Sequence, residues 1–280
     1  MGALIKLELH NLFRQKSFYV CAGITAALAV IFYLIWAYTP LQLSIGNIFE
    51  ILQRGEWPEK TSSGFAATLS ILSLLSDNYP LVLGIAMVSF FVPDYTQNTI
   101  KNVYARGFSR TQIFFAKYIT ALIMTISMLL MIFIFSFVTG TIQFGIIDKE
   151  KLPIDFCIGK FLAFLGGEIL VAVTFASVEF ALCMMIKNIP GALVLILVVT
   201  TIIPSILSVV GFILISNDMS FHPYKYYLTS FISDLCDQSQ LFLGGKDVSW
   251  ARYAGCTLGA LAYGAAMLAI GWAVNLRSEK

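Results

Sequence analysis

The run YITALIMTISMLLMIFIFSFVT, residues 118–139, contains no charged side chain. As a helix rising about 1.5 Å per residue it reaches about 33 Å, enough to cross a hydrocarbon core of about 30 Å. Comparable apolar runs recur at 18–38, 71–92, 161–186, 191–215 and 253–274. The 280-residue chain is 58% hydrophobic and 12% charged, with mean hydropathy +0.82. A soluble domain carries about 25% charged residues. Runs of this length favour helices over strands, so the sequence predicts a single 1–280 all-α integral membrane domain with six transmembrane helices. The 71–92 run is interrupted by Asp77, Asn78 and Pro80, which mark its outer end.

Charge orients the bundle. With the N-terminus in the cytoplasm, the inner segments hold Lys6, Arg14, Lys16, Lys101, Arg106, Arg110, Lys117, Lys187, Arg277 and Lys280, against the acids Glu8, Asp94 and Glu279. The remaining basic residues are spread over longer, acid-rich outer loops. The positive-inside rule then places both termini in the cytoplasm. The 18–38 run is longer than the apolar region of about 7–15 residues in a signal peptide, and YTPLQ offers no small-residue cleavage site. It reads as a retained span. A net charge of +2 gives no ground for a nucleic-acid partner.

No metal-ligand spacing is present: His10 and His222 stand alone, and the five cysteines include no C-x-x-C pair. Cys157 and Cys236 both fall in outer segments, where a disulfide between them is open. There is also no G-x-x-x-x-G-K-[ST], since GGKD at 244–247 lacks the spacing and the hydroxyl.

The polar stretch before the 118–139 run is DYTQNTIKNVYARGFSRTQIFFAK, residues 94–117. Asp94 with Gln97, and Ser109 with Gln112, both fit a capping box, and Phe108 with Ile113 fits a hydrophobic staple. Gly107 suits the left-handed turn that ends a helix. A separate helix of about 18 Å is expected over 95–106, with Ile100, Val103 and Tyr104 on one face. Such a face can lie on membrane lipid or dock into a groove on a partner.

The pattern D-Y-T-x-N-T-I-K-N-x-x-x-R-G-F-S-R-x-x-I-x-x-x-K resembles the loop after the second span in permeases of the ABC-2 type. In that family a carboxylate ends the span, a Gly-Thr pair follows, and a Ser-Arg pair precedes the next span. Here those positions are Asp94, Asn98-Thr99 and Ser109-Arg110, so Asp replaces the commoner Glu and Asn98 stands where Gly is usual. LELHNLFRQKSFYV also resembles the family's amphipathic elbow helix, here residues 1–17. The resemblance implies that 94–110 is a coupling-helix region resting on a separate ATP-binding subunit that holds ATP and Mg. Asp94, Thr99, Ile100, Val103, Tyr104, Arg106, Ser109 and Arg110 would form that contact. It further implies a homodimer, or a heterodimer with a related permease, exporting peptide or lipid-like cargo across a bacterial cytoplasmic membrane. The chain would bind no cofactor and would not itself be an enzyme.

Within the spans, Glu168 and Glu179 are costly, by about 2.5–3.5 kcal/mol for a carboxylate at a helix centre, and such groups usually face a bundle interior or a wet cavity. Eleven residues apart, they lie within about 20° of one face of a helix. Thr174 and Ser177 sit near that stripe, and Glu168, Thr174, Glu179 and, in the fifth span, Pro204 are the candidate translocation-pathway residues. The alternative is that each carboxylate is satisfied near an interface. About 16 Å of axial separation rules out joint catalysis on one bond. Pro204, following Thr200-Thr201, predicts a kink with hydroxyls serving the released backbone groups. Gly255, Gly259, Gly264 and Gly271 predict close helix packing, within the chain or at a dimer seam. IFEILQ at 48–53 and the segment 216–250 are candidate surface helices. The rival reading is a proton-coupled secondary transporter using Glu168 and Glu179.

Overall fold

A computed structural model describes residues 2–38, 79–96, 103–144, 158–186, 188–216, 227–228, 230–231 and 249–277. Thr99, Ile100, Cys157, Cys236, the IFEILQ segment and most of 216–250 lie outside these residues. The described chain is helical: α1 (Gly2–Arg14), α2 (Lys16–Tyr38), α3 (Tyr79–Thr96), α4 (Arg110–Phe144), α5 (Ile158–Met185), α6 (Ile189–Leu197), a π-helical turn (Val198–Ile202), α7 (Ile203–Ser216) and α8 (Trp250–Arg277). Among the described residues, five helical segments are long and apolar enough to cross a membrane: Tyr79–Thr96, Arg110–Ile142, Leu162–Met185, Ile189–Gly211 and Trp250–Arg277. The 23-residue α2 has the length of a sixth, though its described apolar part, Lys16–Leu28, is shorter.

α1 is amphipathic. Leu4 and Leu12 are buried while Leu7 and Phe13 are exposed, and Gln15 alone separates it from α2. α5 is the hub of the bundle, packed against α3, α4, α6 and α8. Its Phe180 ring meets Phe91 of α3 at 5.3 Å and Phe114 of α4 at 5.2 Å in edge-on contacts. Such pairs add about 0.5–1.5 kcal/mol each beyond area burial.

α5 and α8 run parallel, because their contacts advance together. Tyr253 donates to the Ala163 carbonyl, Gly264 lies against Thr174, and Gly271 against Ala181. A Cβ at Gly271 would stand 2.8 Å from the Ala181 Cβ and 3.0 Å from its Cα, and at Gly264 3.3 Å from the Thr174 Cα. The glycines therefore serve packing within the chain, Gly259 meeting Phe231 in the same way, while Gly255 has nothing within 4 Å. The obstacle at Gly271 includes backbone and cannot swing aside. Gly271→Ala is expected to destabilise by about 1–3 kcal/mol, read as a lowered unfolding temperature in detergent. Gly255→Ala is the control and should leave that temperature unchanged.

The fifth span carries a π turn directly before Pro204. The Ile203 N–H reaches back five residues to the Val198 carbonyl, forming the π turn. Thr200 donates to the Ile196 carbonyl at 2.8 Å, Ser205 to the Thr201 carbonyl at 2.7 Å, and Tyr227 to the Val199 carbonyl. Hydroxyls thus serve backbone groups around the π turn, as a proline-interrupted span in lipid requires.

Candidate functional site

Three elements converge at the end of the bundle where α1 sits. The helix ending at Arg14 lies against the first turns of α4, and α3 reaches the same level. Lys117 of α4 is at the centre and only 2% exposed. Its ammonium lies 3.3 Å from Oε1 of Glu8 on α1 and pairs with the Asp94 carboxylate on α3. It also sits 5.7 Å from the centroid of the Phe91 ring, within cation–π reach. Glu8 is 5% exposed, and burial raises its carboxyl above the ordinary range, with the Lys117 ammonium opposing. One cation therefore holds three helices through two acids. Lys117 enters the sequence reading only as a basic residue of the loop, and Glu8 only as an acid of the same side.

Asp94 is not a helix cap. α3 continues through Pro93 and Asp94 to Thr96, so the capping box expected between Asp94 and Gln97 does not start a new helix there. The reason lies at Pro93. Proline has no N–H and leaves the carbonyl four residues earlier without its helical donor; that carbonyl belongs to Ser89. The Gln15 side chain, at the α1–α2 break, donates to the Ser89 carbonyl at 3.1 Å. Served from outside, the helix passes the proline and carries Asp94 to Lys117.

Gln15→Leu is expected to destabilise by about 1 kcal/mol, the cost of leaving a half-buried carbonyl unserved. Pro93→Ala restores an internal donor, so the double variant should recover most of the loss. Equal loss in single and double variants, by thermal unfolding, would contradict the assignment.

The second capping box is present in full. The Gln112 N–H donates to the Ser109 hydroxyl at 3.3 Å, and the Ser109 N–H to the Gln112 side-chain oxygen at 3.1 Å. Gly107 has φ +84°, the left-handed region that favours glycine. Phe108 and Ile113 share one apolar cluster with Leu4 and Ala116, so the staple reaches across to α1. Val103 and Tyr104 pack half-buried into that cluster. Part of the apolar face read from the sequence as available to lipid or partner is thus covered by the chain itself. Ala105, Arg106, Gly107 and Ser109 are exposed. Arg110 donates to the Leu276 carbonyl at 3.3 Å, serving one of the last carbonyls of α8, where a cation is favoured. Tyr95 donates to Met184 Sδ at 3.0 Å, adding the end of α5.

The candidate pathway residues do not form one surface among the described residues. Thr174 turns to Gly264 of α8, and Ser177 pairs with Tyr118 of α4 at 2.8 Å. Glu179 faces Gly84 of α3 beside Ile196 of α6. Glu168 is buried near Tyr253, and Pro204 is buried beside the π turn of the fifth span. No group of three or more potential metal ligands occurs among the described residues.

The described chain is a multi-pass helical membrane protein whose amphipathic N-terminal helix and capped loop meet at one end. The sequence matches the family described as ABC-2 family transporter protein over residues 4–205. That stretch exceeds two thirds of the chain, and the chain belongs to this family. It contains α1 to α6, and with them every member of the Glu8–Asp94–Lys117 triad. No protein in the curated set compared with the chain matches it. The chain is accordingly a membrane transport subunit, and its family implies partnership with an ABC ATP-binding subunit.

Proposed function

We propose that the chain is the membrane-spanning subunit of an ATP-driven exporter, with six spans and both termini in the cytoplasm. An ATP-binding subunit would dock on the segment 94–110. The observation that carries this reading is the wiring of that segment. Asp94 is tied through Lys117 to Glu8 of α1, Arg110 engages the end of α8, and Tyr95 engages the end of α5. A push on a short exposed loop would therefore reach the ends of several helices at once. A loop that merely joined two spans would not need ties to α1 and α8. Two copies, or this chain with a related permease, would complete the pathway. Peptide or lipid-like amphipathic cargo fits the apolar composition and the interfacial α1.

The test is transport by the purified complex in liposomes. Cargo movement is expected with ATP and Mg in the compartment facing α1. Transport by this chain alone, driven by a proton gradient without ATP, would overturn the reading in favour of a secondary transporter.

A further inference from the structure

The Glu179 side chain is 0% exposed, and both carboxyl oxygens are buried with no hydrogen-bond partner among the described residues. An ionised carboxylate in such a place carries a desolvation penalty of several kcal/mol or more, which only pairing offsets. The described residues of the surrounding elements offer no counter-charge. From α3, Tyr79 interacts with it, but that hydroxyl already donates to the Thr125 carbonyl at 2.9 Å. From α4, Tyr118 is engaged with Ser177, and the Lys117 ammonium is held by Glu8 and Asp94. α6, IPGALVLIL, carries no titratable side chain, and α8 meets α5 there through Gly264 and Gly271. Cys183, one turn further along α5, is a buried thiol.

We propose that Glu179 is a proton-binding site of the transport cycle. It carries a proton while α3 and α6 are closed over it, and exchanges that proton with water when they part. The ligand is a proton because the site is packed. A Cβ at Gly84 would lie 2.6 Å from Ile196 Cγ2 and 3.6 Å from the Glu179 carboxyl carbon. Glycine at 84 thus lets Ile196 close against α3 directly beside the acid. The span Ile189–Gly211 is the least buried within the chain of the membrane-length helices. The π turn and Pro204 follow α6 directly, and these are the features at which helices bend. On opening, the carboxyl O–H breaks heterolytically, the proton passes to water as hydronium, and a hydrated carboxylate remains. Closing reverses the step. No other bond changes and no redox partner is needed.

The inference does not depend on where an ATP-binding subunit docks, and its test uses the full chain without one. Infrared difference spectra of wild type against Glu179→Gln at pH 7 should show a protonated-carboxyl band that the variant lacks. Absence of any such band would overturn the proposal. Should the variant fail to fold, Glu179→Asp decides the point: a protonated-carboxyl band displaced from its wild-type position supports the proposal, and a band that does not move overturns it. For the lid, Ile196→Ala should speed deuterium exchange of that carboxyl at least tenfold. An unchanged rate would overturn the gating by α6.

Discussion

Lys117→Met is expected to destabilise the chain by about 3–5 kcal/mol, the usual result of removing one partner from a buried ion pair. The substitution leaves Glu8 buried beside Asp94 with no cation between them. The acids behave differently when changed singly. Glu8→Gln leaves Lys117 paired with Asp94 and removes a group whose ionised form is disfavoured by burial, so its effect should stay within about 1 kcal/mol. The triple variant Glu8→Gln/Asp94→Asn/Lys117→Met should recover most of the loss, because no buried charge remains. Thermal unfolding of the four proteins in one detergent gives the ranking. A triple variant as unstable as Lys117→Met alone would show that Lys117 acts through packing instead.

The same site carries a pH dependence of definite sign. The folded chain holds the Glu8 proton more tightly than the unfolded chain, since burial raises its carboxyl above the ordinary glutamate range. Between the unfolded and folded values the native state binds the extra proton, so this group's contribution to stability falls as pH rises through that window. Glu8→Gln should flatten that decline.

Arg106→Glu is expected to reduce ATP-driven transport by about thirtyfold or more, the effect of reversing an arginine that anchors an interface with at least about 2 kcal/mol. Arg106 is exposed and sits beside the left-handed Gly107. A surface substitution there should alter folding stability by no more than about 0.5 kcal/mol. The contrast is Val103→Asp. Val103 packs on the Leu4–Ile113–Ala116 cluster, so that change should damage both coupling and stability. If Arg106→Glu lowers the unfolding temperature as far as Val103→Asp does, the exposed turn has a structural role instead of a docking role.

The sequence discloses the local features of this chain and conceals the distant ones. The Ser109–Gln112 box, the Gly107 turn and the Phe108–Ile113 staple were readable because each is completed within a few residues. The irregularity of the helix beside Pro204 and the close-packing glycines of α8 were readable for a similar reason, since one residue's geometry dictates the outcome. The misreading of Asp94 as a cap has a non-local cause. A donor 74 positions away, Gln15, stabilises the helix past Pro93. The ties of Lys117 to Glu8 and of Arg110 to Leu276 likewise join segments far apart in sequence. The expected polar stripe on α5 failed for a related reason. Periodicity places Glu168 and Glu179 on a common side, but α5 is packed by four neighbouring helices, so Glu168 and Thr174 meet α8, Ser177 meets α4 and Glu179 meets α3 and α6.

The central claim is that an ATP-binding subunit grips the exposed turn at 105–109. Isolation of the full chain from native membranes in mild detergent, followed by quantitation of co-purifying proteins, tests it most directly. An ATP-binding protein should be retained in stoichiometric amount by the wild type and lost with Arg106→Glu, at equal folded yield. Recovery of the wild-type chain without any ATP-binding protein, or equal retention by the variant, would contradict it.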